Sequence, residues 1–443
     1  MKWHLATLSQ LLTTWAVPLL LFCEHAEGEQ LLHKLYAADA ASGDRFGVSV
    51  ATDGNFALVG ADSNLDGLGD FRGSAYLFDV TTGEQLWRVD GRAWGFANLH
   101  GFSVALDGDL ALVGAPGEDS FNHGAVYVYR TSNGEQLQRL FPPALTSDGY
   151  ANDLLGHSVD LLGTKALLGA PSTNAATYGS AFLFDALTGQ ELAHLRANDR
   201  RARDEFGEAV ALSETYAVIG ATGSLSNGIA TGAAYVFDVN TGVQLFKLTP
   251  NDGLQGDRFG NSVAVDGNYA LIGNANRLNS RNGAAYLYDI TTGQQLMKIL
   301  PSPESADVSG AFTFGFDVAL EDGLAIVSAT GDRHEGRNSG AVYWFELPTG
   351  KLIGKVGPAE GAPFDYFGIS LAYSDGVLLA GAFKDDDFGN ESGSAYLYRI
   401  IVPEPDSATM FSVLLAVAAV SRGRVPRGDR VLDYSEQAAG PSG

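Results

Sequence analysis

Seven times along this chain one four-part phrase recurs, and the way its last copy is completed limits the fold to a closed ring. A glycine opening a Val/Ala-rich run falls at Gly47, Gly101, Gly156, Gly207, Gly260, Gly315 and Gly368, at intervals of 54, 55, 51, 53, 55 and 53 residues. Each copy continues with an Ala-Leu-Val-Gly-Ala-like run, a Gly-Ser-Ala-Tyr-Leu-Phe-like run and a Thr-Gly-Glu-Gln-Leu-like run. The seventh copy reaches Ile401 without its fourth run. That run, Gly28-Glu29-Gln30-Leu31-Leu32, stands ahead of the first copy, a near twin of Gly83-Glu84-Gln85-Leu86-Trp87 and Gly134-Glu135-Gln136-Leu137. A unit of roughly 50 residues cannot bury a core alone and must stack on its neighbours. The expected fold is all-β: a seven-bladed β-propeller in which the N-terminal strand completes the last blade.

The local pattern agrees. In the first copy, strands are expected near Val48–Thr52, Phe56–Gly60, Ser74–Asp79 and Glu84–Val89. Runs such as Ala57-Leu58-Val59-Gly60 are apolar on successive residues, as expected of strands covered on both faces. Asp53-Gly54, Asp107-Gly108, Asp266-Gly267 and Asp375-Gly376 mark tight hairpins between first and second strands. Thr82-Gly83, Thr188-Gly189, Thr241-Gly242 and Thr292-Gly293 mark compact turns between third and fourth strands. The other connections are long and differ in every copy. Because antiparallel strands alternate in direction, all long loops emerge on one face of the disc, where recognition is expected. Glu118, Asp119, Asp385, Asp386 and Asp387 are the expected partner-binding residues of that face, and Arg200, Arg201 and Arg203 are a local basic exception.

Length alone, 443 residues, would allow two or three domains, but the repeat makes residues 28–401 one. Net charge is -24, which opposes binding to nucleic acid and favours cations or basic surfaces as partners. Lys2, an apolar stretch from about Leu11 to Phe22 and polar Glu24-His25-Ala26-Glu27 read as a signal peptide over residues 1–27. The lone Cys23 lies within it, so the ring itself has no disulfide or thiolate site.

At the other end, Val402-Pro403-Glu404-Pro405, apolar Ala408–Val420 and the arginines 422, 424, 427 and 430 resemble the bacterial PEP-CTERM sorting signal over residues 402–430. The resemblance implies an exosortase-type partner, transient membrane contact through this segment, and a secreted or cell-surface location in a bacterial outer envelope. Residues 431–443 are expected to be a disordered tail. An ordinary C-terminal anchor is the competing reading, but 13 apolar residues fall short of the roughly 20 that a span needs.

Phe46-Gly47 followed by Gly60-Ala61, with Phe206-Gly207, Gly220-Ala221 and Phe259-Gly260 in the same frame, resembles the FG-GAP repeat family of integrin α-like propellers. Single copies depart from it: His100 and Leu155 replace the Phe, and Gly273-Asn274 and Ser328-Ala329 alter the second motif. The resemblance implies a non-enzymatic module that binds a protein or glycan ligand. Calcium sites of the integrin type are not carried over, because the connection that would hold them is here a tight Asp-Gly hairpin. A different loop, Asp62-x-Asn64-x-Asp66-Gly67-x-x-Asp70, has oxygen ligands at alternate positions and is a candidate Ca²⁺ site. The competing class is an enzyme, because the third-plus-fourth-strand phrase is also similar to repeats of quinone-dependent dehydrogenase propellers. Against it, Trp87 is not repeated, no vicinal Cys pair or Gly-x-Ser-x-Gly elbow occurs, and the eight His lack metal-ligand spacing. No catalytic or cofactor-binding residue is expected.

Overall fold

The computed structural model describes residues 29–63, 72–91, 98–142, 153–172, 178–275, 283–301 and 313–401. The expected signal peptide, sorting segment and tail lie outside the described residues. Seven four-stranded antiparallel sheets follow one another, each ordered first-second-third-fourth. Blade 1 has strands Phe46–Thr52, Phe56–Ala61, Ser74–Asp79 and Gln85–Asp90, one or two residues from the expected bounds. Blade 7 combines Leu371–Ser374, Val377–Ala382 and Ser394–Ile400 with the N-terminal strand Glu29–Leu35. That strand pairs antiparallel with Ser394–Ile400, Glu29 opposite Ile400 and Leu35 opposite Ala395. The clasp is therefore present: two pieces of chain make one blade.

The continuous apolar runs find cover on both sides. Ala57, Val59 and Ala61 pack with Val377, Leu379 and Leu397 of blade 7, whereas Leu58 packs with Val113, Ala115 and Tyr127 of blade 2. Successive residues of one strand thus enter two different cores. Seven such clusters occur, one between each pair of neighbouring blades, and the seam joining blades 7 and 1 has its own. Fourth strands lie outermost, and Gln85–Asp90 alternates half-buried and exposed residues.

Close approach at each seam explains the glycine motifs. Gly47 has φ +88, and a Cβ there would strike the carbonyl oxygen of Ser394 in blade 7. A Cβ at Gly381 would in turn strike the Gly47 carbonyl. At six of the seven seams the first-strand glycine of one blade therefore docks on the second-strand glycine of the blade before it, at a separation only glycine permits, and Ser328 takes that place opposite Gly368. Phe46 anchors the contact, bridging to Gly393 across the seam and setting its ring edge-on to Tyr76 and Phe78 at 5.4 and 5.9 Å. His100 takes the Phe position in blade 2, edge-on to Tyr127 at 5.1 Å, and burial drives its pKa down to about 3. It serves there as a neutral aromatic ring.

First strands of all seven blades line a central channel of about 440 Å³. The long connections open on one face and the hairpins and Thr-Gly turns on the other. Glu29 and Ile400 are paired at the short-turn face, so both ends of the ring leave from there.

A candidate binding face

The long-loop face is built on a repeated side-chain unit. In six blades a third-strand Tyr stands opposite a fourth-strand cation: Tyr76 and Arg88, Tyr127 and Arg139, Tyr235 and Lys247, Tyr286 and Lys298, Tyr343 and Lys355, Tyr396 and Lys34. A loop carboxylate closes each unit. Asp199 accepts Tyr235 Oη–H at 2.9 Å and Lys247 Nζ–H at 2.6 Å, and the ammonium lies 5.3 Å from the Tyr ring centre. Asp252 does the same for Tyr286 and Lys298, at 3.0 and 2.5 Å. Asp39 serves Tyr76 and Arg88, and Asp332 serves Tyr343 and Lys355. Blade 3 alone lacks the unit, because Phe182 and His194 stack at 4.2 Å in its place. The acids come either from the loop entering the blade or from its second-to-third loop, and in both cases they tie a long loop to the rigid sheet.

This unit absorbs several of the expected site residues. Glu118, 5% exposed, accepts from Tyr127 Oη at 2.6 Å and Arg139 at 2.9 Å. Asp385, 2% exposed, accepts from Tyr396, Ser394 and Lys34. Asp387 receives Lys34 at 2.6 Å and Tyr36 at 3.0 Å, and the Lys34 hydrogen bond lowers its pKa. Burial alone would lower the Lys34 pKa, but hydrogen bonds to Asp387, Tyr396 and Asp385 outweigh it and raise the net value. Asp119 shapes its own loop, accepting from the backbone of Phe121 and from His123 Nδ1 at 2.7 Å. Asp386 is exposed, and its carboxylate accepts only from Glu391 N–H among the described residues.

Of the candidate Ca²⁺ ligands, Asn64, Asp66 and Asp70 lie outside the described residues. Asp62 is 1% exposed and faces Arg45 at 3.1 Å, so a cation there would have to displace that guanidinium. Burial raises the Asp62 pKa, and Arg45 partly offsets the rise.

Among the described residues the long-loop face also presents exposed aromatic rings. Phe121, Tyr178, Phe364 and Phe388 are 58, 46, 45 and 55% exposed. Phe388 meets Tyr36 edge-on at 4.7 Å, and the Arg337 guanidinium lies 5.7 Å from the Phe364 ring centre. The sequence reading of charged loops missed this pattern. Its signal was available in part: the cation falls twelve residues after the Tyr in five copies, from Tyr76 and Arg88 to Tyr343 and Lys355.

The channel is lined by a ring of unlike residues at its long-loop mouth: Val48, Phe102, His157, Glu208, Asn261, Phe316 and Ile369. Below them, Ser49, Ser103 and Ser158 donate to the carbonyls of Gly101, Gly156 and Gly207 in the following blade, at 2.7, 2.7 and 2.9 Å. These hydroxyls knit the ring. His157 sets Nδ1 3.3 Å from the Glu208 carbonyl oxygen rather than against a hydroxyl.

No curated protein matches the chain. The FG-GAP repeat family model matches residues 31–78, 97–129, 190–237, 243–288, 295–345 and 352–398. The longest internal stretch left unmatched, residues 130–189, holds most of blade 3, the blade with Leu155 for Phe and no Tyr-cation unit, yet that blade folds as a full four-stranded sheet. With more than half of its length matched in frame with the blades, the chain belongs to the FG-GAP repeat family.

Proposed function

We propose that this chain is an exported, non-enzymatic bacterial propeller that binds a protein or glycan partner through its long-loop face. The observation carrying the proposal is a shared loop scaffold that displays different side chains. Residues 36–45, 196–205, 249–258 and 357–366 enter blades 1, 4, 5 and 7 on one backbone design. In each, an Asp carboxylate near the loop end accepts an N–H three residues earlier: Asp44 from Ala41, Asp204 from Arg201, Asp257 from Leu254 and Asp365 from Ala362, at 2.6–2.7 Å. The positions between are Ala-Ser-Gly, Arg-Ala-Arg, Leu-Gln-Gly and Ala-Pro-Phe. A fixed frame with variable display suits recognition.

The opposite face repeats itself: Asp79, Asp185, Asp238 and Asp289 each accept from the Thr residues that follow. Exposed aromatics on the long-loop face are the side chains that most often anchor partners. Asp119 and Asp386 remain proposed contacts, whereas Glu118, Asp385 and Asp387 are proposed to act by fixing the loops. Ca²⁺ at the Asp62–Asp70 loop and exosortase handling of residues 402–430 are further proposals resting on the sequence pattern. Replacing Phe121, Phe364 and Phe388 by Ser is expected to weaken capture of an envelope partner by about tenfold or more. Replacing Thr82, Thr188 and Thr241 by Ala on the other face should leave it unchanged. Undiminished capture by the Phe variant would place recognition elsewhere.

A further inference from the structure

Within the shared loop scaffold two positions have positive φ in all four copies; Arg45, Glu205, Arg258 and Tyr366 fill the second, and the first varies more. The first is Gly43 (φ 88) and Gly256 (φ 83) in two of them, but Arg203 (φ 70) and Phe364 (φ 78) in the others. L residues adopt this conformation against a steric resistance that glycine avoids. Arg203 is one of two non-glycine residues at a position that the other two copies fill with glycine.

Arg200, Arg201 and Arg203 are all exposed, in a protein of net charge -24. Every carboxylate beside them is already engaged. Asp199 holds Lys247 and Tyr235, Asp204 accepts the Arg201 N–H, and Glu205 and Glu208 face Thr222 and Arg258. Among the described residues the Arg203 side chain has no ion-pair, hydrogen-bond or ring partner, and that of Arg201 meets Asp204 only by a coulombic attraction without a direct contact. The loop backbone is pinned as well, because Gly223 N–H bonds to the Asp204 carbonyl at 3.1 Å. The arginines therefore project from a rigid support. Arg200 also reaches the exposed ring of Tyr178, its guanidinium 5.7 Å from the ring centre.

We propose that Arg200, Arg201, Arg203 and Tyr178 form a subsite for an anionic polysaccharide. The inference rests on the long-loop-face reading and names a ligand class for it. Arginine forks match the two oxygens of a carboxylate or sulfate. An exposed aromatic ring beside a cation offers a sugar a flat apolar surface together with a counter-charge. An acidic peptide would use the arginines but has no need of the ring. Screening within about 8 Å at physiological ionic strength lets this local charge act despite the acidic whole.

The test measures binding of the full chain to immobilised polygalacturonate, dextran sulfate, neutral dextran and polyglutamate, at low and high salt. Binding to polygalacturonate or dextran sulfate but not dextran is expected, and which of the two is bound separates uronate from sulfate chemistry. Combined Arg200→Gln, Arg201→Gln and Arg203→Gln should weaken it about tenfold or more. Arg203→Gly alone should weaken binding while the melting temperature holds or rises, which separates recognition from folding. Tyr178→Ala should reduce polysaccharide binding. Unchanged affinity in the triple variant, absence of binding to either polyanion, or polyglutamate bound as tightly with the same arginine dependence would overturn the proposal. The Phe121, Phe364 and Phe388 experiment reads the broader face assignment independently.

Discussion

Blade 7 is assembled from two distant pieces of chain and blade 3 from one, and their outer strands are secured in opposite ways. In blade 7, Lys34 from the N-terminal strand reaches Asp385 at 2.9 Å and Asp387 at 2.6 Å and lies 5.1 Å from the Tyr396 ring centre. In blade 3 no Tyr–cation–carboxylate unit is present among the described residues, and Phe182 stacks on His194 instead. That blade is tied from the inside: Asp160 on its first strand accepts the Leu212 N–H of blade 4 at 2.6 Å. Where the chain is continuous the outer polar clamp is dispensable. In blade 7 the same clamp that five continuous blades carry also joins two distant pieces of chain.

Removing Gln30–Leu35 tests this contrast with the largest expected effect. It strips blade 7 of its outer strand, exposes Ala395–Tyr398 as an open edge and removes Lys34, so calorimetry should show loss of the cooperative melt. A subtler break is Lys34→Met. Lys34 and Asp385 side chains are 10 and 3% exposed, and the variant leaves a buried carboxylate without its cation, a change expected to lower stability by about 3–5 kcal/mol. Lys298→Met, whose partner Asp252 is 52% exposed, should lower it by about 1 kcal/mol or less. Denaturant titration of the two variants side by side gives the comparison, and equal losses would refute a special role for the clasp.

A pH-dependent effect concerns the inner tie of blade 3. Burial raises the Asp160 pKa from 3.8 to about 7, against hydrogen bonds from Leu212 and Leu161 that lower it. Asp317, tied to Leu371 of blade 7, is raised to about 6 in the same way. An acid raised in the folded state contributes stability that is complete below its unfolded pKa and lost as pH rises through the folded value. The wild type should therefore lose stability from this source between about pH 4 and 7, and Asp160→Asn should flatten that slope. The change in slope is read from melting temperatures at paired pH values.

Blade number, hairpin positions and the clasp were legible because each rides on the repeat period, and seven in-phase copies average out local exceptions such as His100 and Leu155. The loop acids were harder to read. Asp385, Asp386 and Asp387 are consecutive and chemically alike, yet the first is buried beneath Tyr396 and Lys34 while the second is exposed. What divides them is the direction in which each side chain leaves the turn, and a residue type carries no such information. The common scaffold of the entering loops was hidden for a similar reason. It is specified by one Asp and one backbone N–H, while the residues between are free to vary.

The pairing of Glu29 with Ile400 has a mechanical consequence. The chain continues past Ile401 from the end of Ser394–Ile400, the third strand of blade 7, which has Val377–Ala382 on one side and Glu29–Leu35 on the other. A pull applied through residue 402 acts along that strand, so the ladders on both flanks resist together in shear rather than opening bond by bond. Without the N-terminal strand the same pull would meet a single ladder. The clasp thus shares tension across the blade at the point where the propeller joins the rest of its chain.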